Sequence, residues 1–124
     1  MRKIVLLWVL AVLARSALGA GQIVVITWDA GGRFRHAGEL APAAVLEVCG
    51  PLEAGSSVAW SFKSGAALES NVHYHDGDRV IYPAKYPPLQ KLDARLIVET
   101  KQEFCWMWRN RQATVVSLEL ELRR

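Results

Sequence analysis

The sequence predicts an all-β protein, a small antiparallel β-sandwich of about seven to nine strands. Three observations carry that prediction. Strict period-2 alternation runs through residues 58–63, 103–110 and 116–122, the spacing that puts alternate side chains on opposite faces of a strand. Turn chemistry recurs between the apolar stretches, at Asp29-Ala-Gly-Gly, Gly50-Pro51, Glu53-Ala-Gly-Ser-Ser and Asp76-Gly77. No stretch after the first twenty residues carries convincing helical periodicity.

The elements follow in order. Residues 22–28, rich in Ile, Val and Thr, read as a strand closed by the turn at Asp29. Residues 33–39 alternate weakly and fit a short edge strand or a loop, whereas 44–49 form a strand stopped by Gly50-Pro51. In 58–63, Val58, Trp60 and Phe62 face inward and Ala59, Ser61 and Lys63 outward. Ser64-Gly-Ala-Ala reads as a break before a strand at 69–75. Asp76-Gly77 then signals a two-residue hairpin, with 78–82 returning. Pro83, Pro87 and Pro88 deny residues 83–92 a place in a central ladder, so an exposed loop is expected there, bearing Tyr82, Lys85, Tyr86 and Lys91. Strands resume at 94–99, 103–110 and 116–122.

The first twenty residues belong to a different category. Arg2 and Lys3 precede eleven uninterrupted apolar residues, Ile4 to Ala14, and the small residues Ser16 to Ala20 follow. This is the order of a cleavable signal peptide, with the sandwich domain over 21–124. Eleven residues rising ~1.5 Å each cannot span ~30 Å of hydrocarbon, so a transmembrane anchor is not expected. Export to the periplasm or beyond the cell is the expected outcome. Of 15 basic residues, Arg2, Lys3 and Arg15 lie in this segment, leaving as many basic residues as the 12 acidic ones. The mature domain is formally neutral and lacks the basic field that nucleic-acid binding needs.

Two cysteines in an exported chain of this size are expected to pair. Joining Cys49 to Cys105 closes a loop of roughly 57 residues, which the chain-entropy model values at roughly 4 kcal/mol. A soft-metal arrangement of Cys105, Met107 and Cys49 competes for the same thiols. A blue-copper site is not expected, because no histidine follows Cys105.

Two segments together carry a family resemblance. One is an apolar strand ending in Cys49, a Gly-Ser turn and the strand Val-Ala-Trp-Ser-Phe at 58–62. The other is residues 103–110, Glu-Phe-Cys-Trp-Met-Trp-Arg-Asn, followed by a last alternating strand. Across residues 36–122 this resembles the GOLD (Golgi dynamics) domain, a β-sandwich of the lumenal part of secretory-pathway cargo receptors. The resemblance implies a Cys49–Cys105 disulfide and a habit of binding proteins or lipids. Those receptors continue into a coiled coil and a membrane helix, and no such segments follow the last strand here, so the trafficking role is not carried over.

The residues that bear chemistry are few. His73 and His75 project from one strand face with about 7 Å between Cα atoms, and with Asp76 they form a candidate copper or zinc site. His36 is a further donor from elsewhere in the chain, and Asp78 a further carboxylate. Tyr82, Lys85 and Tyr86 on the proline-rich stretch are the candidate contact residues for a protein, lipid or small-molecule ligand. The aromatics Trp60, Phe62, Phe104, Trp106 and Trp108 alternate as a core face does. An enzyme is not expected, since no serine sits in a Gly-x-Ser-x-Gly context and no acid and base are paired recognisably. The leading expectation is therefore an exported non-catalytic binding module without a cofactor, and the second a small metal-binding protein.

Overall fold

The computed structural model describes residues 21–124, so the expected signal peptide at 1–20 lies outside the described residues. Seven strands follow in order: β1 (Gly21–Val25), β2 (Arg33–Leu40), β3 (Val45–Leu52), β4 (Ser57–Asp76), β5 (Arg79–Ile97), β6 (Gln102–Arg109) and β7 (Val116–Arg123). The all-β sandwich expected from the alternation is the fold. No helix among the described residues is long and apolar enough to cross a membrane.

Two layers are joined through one bent hairpin. β4 pairs with β7 over Ala59 to Ser64 and with β6 over Glu69 to His73. Its first half thus belongs to the layer β4-β7-β2 and its second half to the layer β4-β6-β3-β1, with β5 alongside throughout. Strands that switch layers turn the corner with small residues and a register shift. The expected break at Ser64-Gly-Ala-Ala is this corner, and the chain passes it without leaving the strand: the register shifts between Lys63 and Leu68. A Cβ on Gly65 would stand 2.8 Å from the Ser117 hydroxyl of β7, so a larger residue at the inside of the bend would require that hydroxyl to turn away.

The proline-rich stretch is also strand rather than loop. β5 runs through Pro83, Pro87 and Pro88 as the outer partner of β4. None of the three occupies a registered pair; they fall at the register shifts, where no ladder N–H is required. The hairpin turn uses Gly77 and Asp78, since Asp76 pairs with Arg79, one residue later than the Asp76-Gly77 signal implied. Gly77 has φ +59°, the left-handed backbone that a type II′ turn places at its first central residue.

One pairing departs from the antiparallel expectation. β1 runs parallel to β3, Val25 opposite Cys49. β2 pairs only with β7, in the other layer, and so forms the crossover that a parallel pair needs. Residues 33–39, read as edge strand or loop, are this edge strand β2.

The core lies between the layers. Val48, Trp106, Trp108, Val58, Val72 and Leu122 are wholly buried. Trp60 meets Trp106 and Trp108 edge-on at centroid distances of 6.5 and 6.1 Å, the geometry aromatic quadrupoles favour. Those aromatics are core, as their alternation predicted. Asn110, also wholly buried, is a polar tie within it. Its Nδ2 donates to the carbonyls of Leu40, Ala41 and Thr114, and its Oδ1 accepts from the Gln112 amide. One side chain thereby fixes both the β2–β3 and the β6–β7 connections.

Candidate functional site

The outer face of the β3-β6-β4-β5 layer gathers most of the candidate residues into two neighbouring rows. Cys49 stands opposite Cys105, and Cys105 opposite His73. In the next row Glu47 stands opposite Met107, Met107 opposite Asn71, and Asn71 opposite Lys85. Period-2 pleating explains the grouping: Glu47 and Cys49, Cys105 and Met107, Asn71 and His73 each lie two residues apart on one strand.

Cys49 and Cys105 are joined in a disulfide with a Cα–Cα distance of 4.1 Å. It bridges adjacent strands of one layer rather than the two layers. The pairing matches the sequence expectation and leaves no thiol for a Cys105–Met107 soft-metal arrangement in this oxidised form.

His73 sits beside this bridge with only 4% of its surface exposed. Its Nε2 lies 3.1 Å from Oε1 of Glu47, and its Nδ1 lies 2.8 Å from Oδ1 of Asn71. Burial pushes the imidazole below its ordinary pKa, partly opposed by the Glu47 carboxylate and reinforced by His75. A neutral ring can donate to only one of those two oxygens, so the other contact requires either imidazolium or a turned Asn71 carboxamide. The His75 ring is at a centroid distance of 5.5 Å from His73 but is exposed, as is Asp76 at the hairpin end. The carboxylate that reaches His73 is Glu47, a residue sequence reasoning passed over. Its signal was present: it is the one charged residue in an apolar strand, two positions before Cys49.

Tyr82 stands next to His73, with ring centroids 5.7 Å apart, and Lys85 places its Nζ 4.0 Å from the Tyr82 ring centroid. This is cation–π distance. Tyr86 is separated from them. It turns to the interior and meets Trp60 edge-on at 5.7 Å, half-buried. The register shift between Val72 and Tyr74 explains the parting: it throws Tyr82 to the outer face while Tyr86, opposite Ser70, faces in. The three contact candidates are thus two outer-face residues and one half-buried one.

His36 is not brought to this face. It lies on β2 in the other layer, lining a groove of about 480 Å³ with Arg35, Lys63, Lys91, Asp93 and Glu121. Of the basic residues there, Arg35 is paired with Glu121 at 3.1 Å.

No family model matches the sequence, and no curated protein does. Solved structures resemble the fold. One is the Aeromonas hydrophila PliG, a periplasmic lysozyme inhibitor of g-type lysozyme, at TM-score 0.59 and 11% identity, covering 84% of this chain and 98% of that one. Another is the pre-peptidase C-terminal domain of a Bacillus anthracis collagenase, at TM-score 0.62 and 10% identity, covering 85% and 96% respectively. At such identities the likeness is one of fold: this chain is similar to small all-β domains.

Proposed function

We propose that the chain is an exported, non-catalytic binding module whose partner is a protein, engaged by the outer face of the β4–β5 hairpin. The observation that carries this reading is the Tyr82–Lys85 pair. An aromatic ring 42% exposed, held by a lysine and set beside a buried histidine, is a preorganised contact of the kind interfaces use as anchors. The strand that presents it carries three prolines, which keep its free edge from pairing with further chains and leave side chains to make the contact. Of the two structural neighbours, one is a periplasmic inhibitor of a lysozyme and the other a C-terminal domain of a collagenase. The periplasmic inhibitor supports an exported module that engages a protein, and the collagenase domain supports a non-catalytic one. The two cysteine strands also resemble the GOLD domain, and that resemblance favours the same habit of binding.

The test is retention on immobilised protein. Purified g-type lysozyme is the first ligand to present, followed by envelope and culture-supernatant proteins. Retention that falls at least about tenfold in a Tyr82→Ala, Lys85→Ala double variant supports the reading, the size expected for a hot spot. Retention unchanged in that variant removes this face from the reading, and retention of nothing removes the protein partner.

A further inference from the structure

The disulfide, His73 and Glu47 together form an arrangement that a binding module does not require. We propose that reduction of the Cys49–Cys105 bridge turns this face into a zinc site, with the two sulfurs, a ring nitrogen of His73 and a carboxylate oxygen of Glu47 as its four ligands. The donor set differs from His73, His75 and Asp76, of which only His73 is shared.

Three observations converge. Ligand atoms of Glu47, His73 and Cys105 all lie within 4.8 Å of one another, and Cys49 is covalently attached to the third of them. The spacing suits zinc: Zn–N and Zn–O bonds near ~2.05 Å in a tetrahedron separate the two ligand atoms by roughly 3.3 Å. Nε2 of His73 and Oε1 of Glu47 are 3.1 Å apart. The third observation concerns protons. The Asn71 Oδ1 faces His73 Nδ1 at 2.8 Å, so in the Nδ1–H tautomer that proton is donated to Asn71 and the Nε2 lone pair is directed at Glu47. In that tautomer two lone pairs oppose each other across 3.1 Å, and a cation between them satisfies both. A metal-bound histidine fixed through its other N–H by a side-chain oxygen is the usual outer-shell arrangement. Two thiolates, one imidazole and one carboxylate then fill four positions, as a closed zinc site wants.

The step balances. A dithiol reductant supplies two electrons and two protons, the Cys49–Cys105 S–S bond breaks, two thiols form, and the reductant leaves as its own disulfide. Zn²⁺ then displaces the two thiol protons to solvent and binds both sulfurs as thiolates. Tetrahedral Zn–S bonds near ~2.3 Å hold the sulfurs roughly 3.8 Å apart, so the pair must open by rotation about χ1. Both cysteines face away from the tryptophan core, Cys105 half-buried and Cys49 buried.

The purified full chain is titrated with Co(II), then Zn(II) under competition from a chromogenic chelator, oxidised and after reduction with a phosphine. Reduced protein is expected to bind one Co(II) with thiolate-to-cobalt charge-transfer bands and the intense d–d bands of a tetrahedral centre, bleached by zinc. Oxidised protein is expected to show neither. Asn71→Ala, acting through His73, is expected to weaken zinc by about tenfold, and His73→Ala by more. Glu47→Gln changes a quarter-exposed side chain and keeps the test valid should His73→Ala not fold; it too is expected to weaken zinc at least about tenfold. Equal cobalt spectra with and without reduction overturn the proposal. So does zinc affinity of the reduced protein that is unchanged in folded Glu47→Gln and Asn71→Ala.

Discussion

Nε2 of His73 on β4 meets Oε1 of Glu47 on β3 at 3.1 Å, across the intervening strand β6. The pair links two non-adjacent strands over the disulfide, and it sets a pH dependence. Burial lowers the folded-state pKa of His73, with Glu47 opposing and His75 adding to the effect. In the unfolded chain the imidazole protonates near its ordinary ~6.5. Between the two values the unfolded state binds more protons, so stability rises with pH and is lost as pH falls below about 6.5. With the disulfide intact and a chelator present, thermal midpoints are expected to drop between neutral pH and pH ~5. His73→Gln should flatten that slope and Glu47→Gln should steepen it. Identical slopes in all three proteins would contradict the assignment.

Asn110 supplies a second prediction. Its removal leaves three carbonyls and one amide without their buried partner. Asn110→Ala is expected to cost about 2–4 kcal/mol by denaturant unfolding, since several unmet buried polar groups add to the loss. Asn110→Asp should cost a comparable amount, because a carboxylate cannot donate to carbonyls. A cost under ~0.5 kcal/mol, the surface norm, would show that the loops hold themselves.

The bridge gives a third. The cysteines are 56 residues apart in sequence, so their link removes much of the unfolded chain's freedom. The Cys49→Ser, Cys105→Ser variant is expected to lose about 4 kcal/mol on the chain-entropy model. Equilibrium unfolding with the metal chelated measures it, and a loss below ~1 kcal/mol would assign the bridge a role other than stability.

Ala43 gives a fourth, of opposite sign. It has φ +64° in the tight connection before β3, a conformation that costs an L-residue roughly 1–2 kcal/mol. Its amide donates to the Asn110 carbonyl at 2.9 Å, which holds it there. Ala43→Gly is expected to stabilise by about 0.5–1 kcal/mol, less than the full strain because glycine loses more entropy on folding. A lower thermal midpoint in the glycine variant would refute this.

Tyr82 and Tyr86 separate binding from folding. Tyr82→Ala removes an exposed ring beneath Lys85 and should lower partner affinity at least about tenfold with stability within ~0.5 kcal/mol of wild type. Tyr86→Ala strips one of its aromatic partners from Trp60 and should lower stability by about 1–3 kcal/mol. The reverse pattern, read by calorimetry of binding and unfolding, would exchange their roles.

By itself the sequence determined the β class, the inward faces of Val58-Trp60-Phe62 and Phe104-Trp106-Trp108, and the pairing of two cysteines. Each follows from local periodicity or from there being only two candidates, and neither needs knowledge of where strands lie. Tertiary structure decided the rest. Ser64-Gly-Ala-Ala and the proline stretch look like breaks along the chain, yet both are strand, because pairing along β4 supplies hydrogen bonds that local propensity does not foresee. One register shift put Tyr82 and Tyr86 on opposite sides of β5, a consequence of period-2 pleating that no residue type announces. His73 was legible as a candidate, but its partners Glu47 and Cys105 come from strands remote in sequence. Only the packing of β3, β6 and β4 side by side makes histidine, carboxylate and disulfide neighbours.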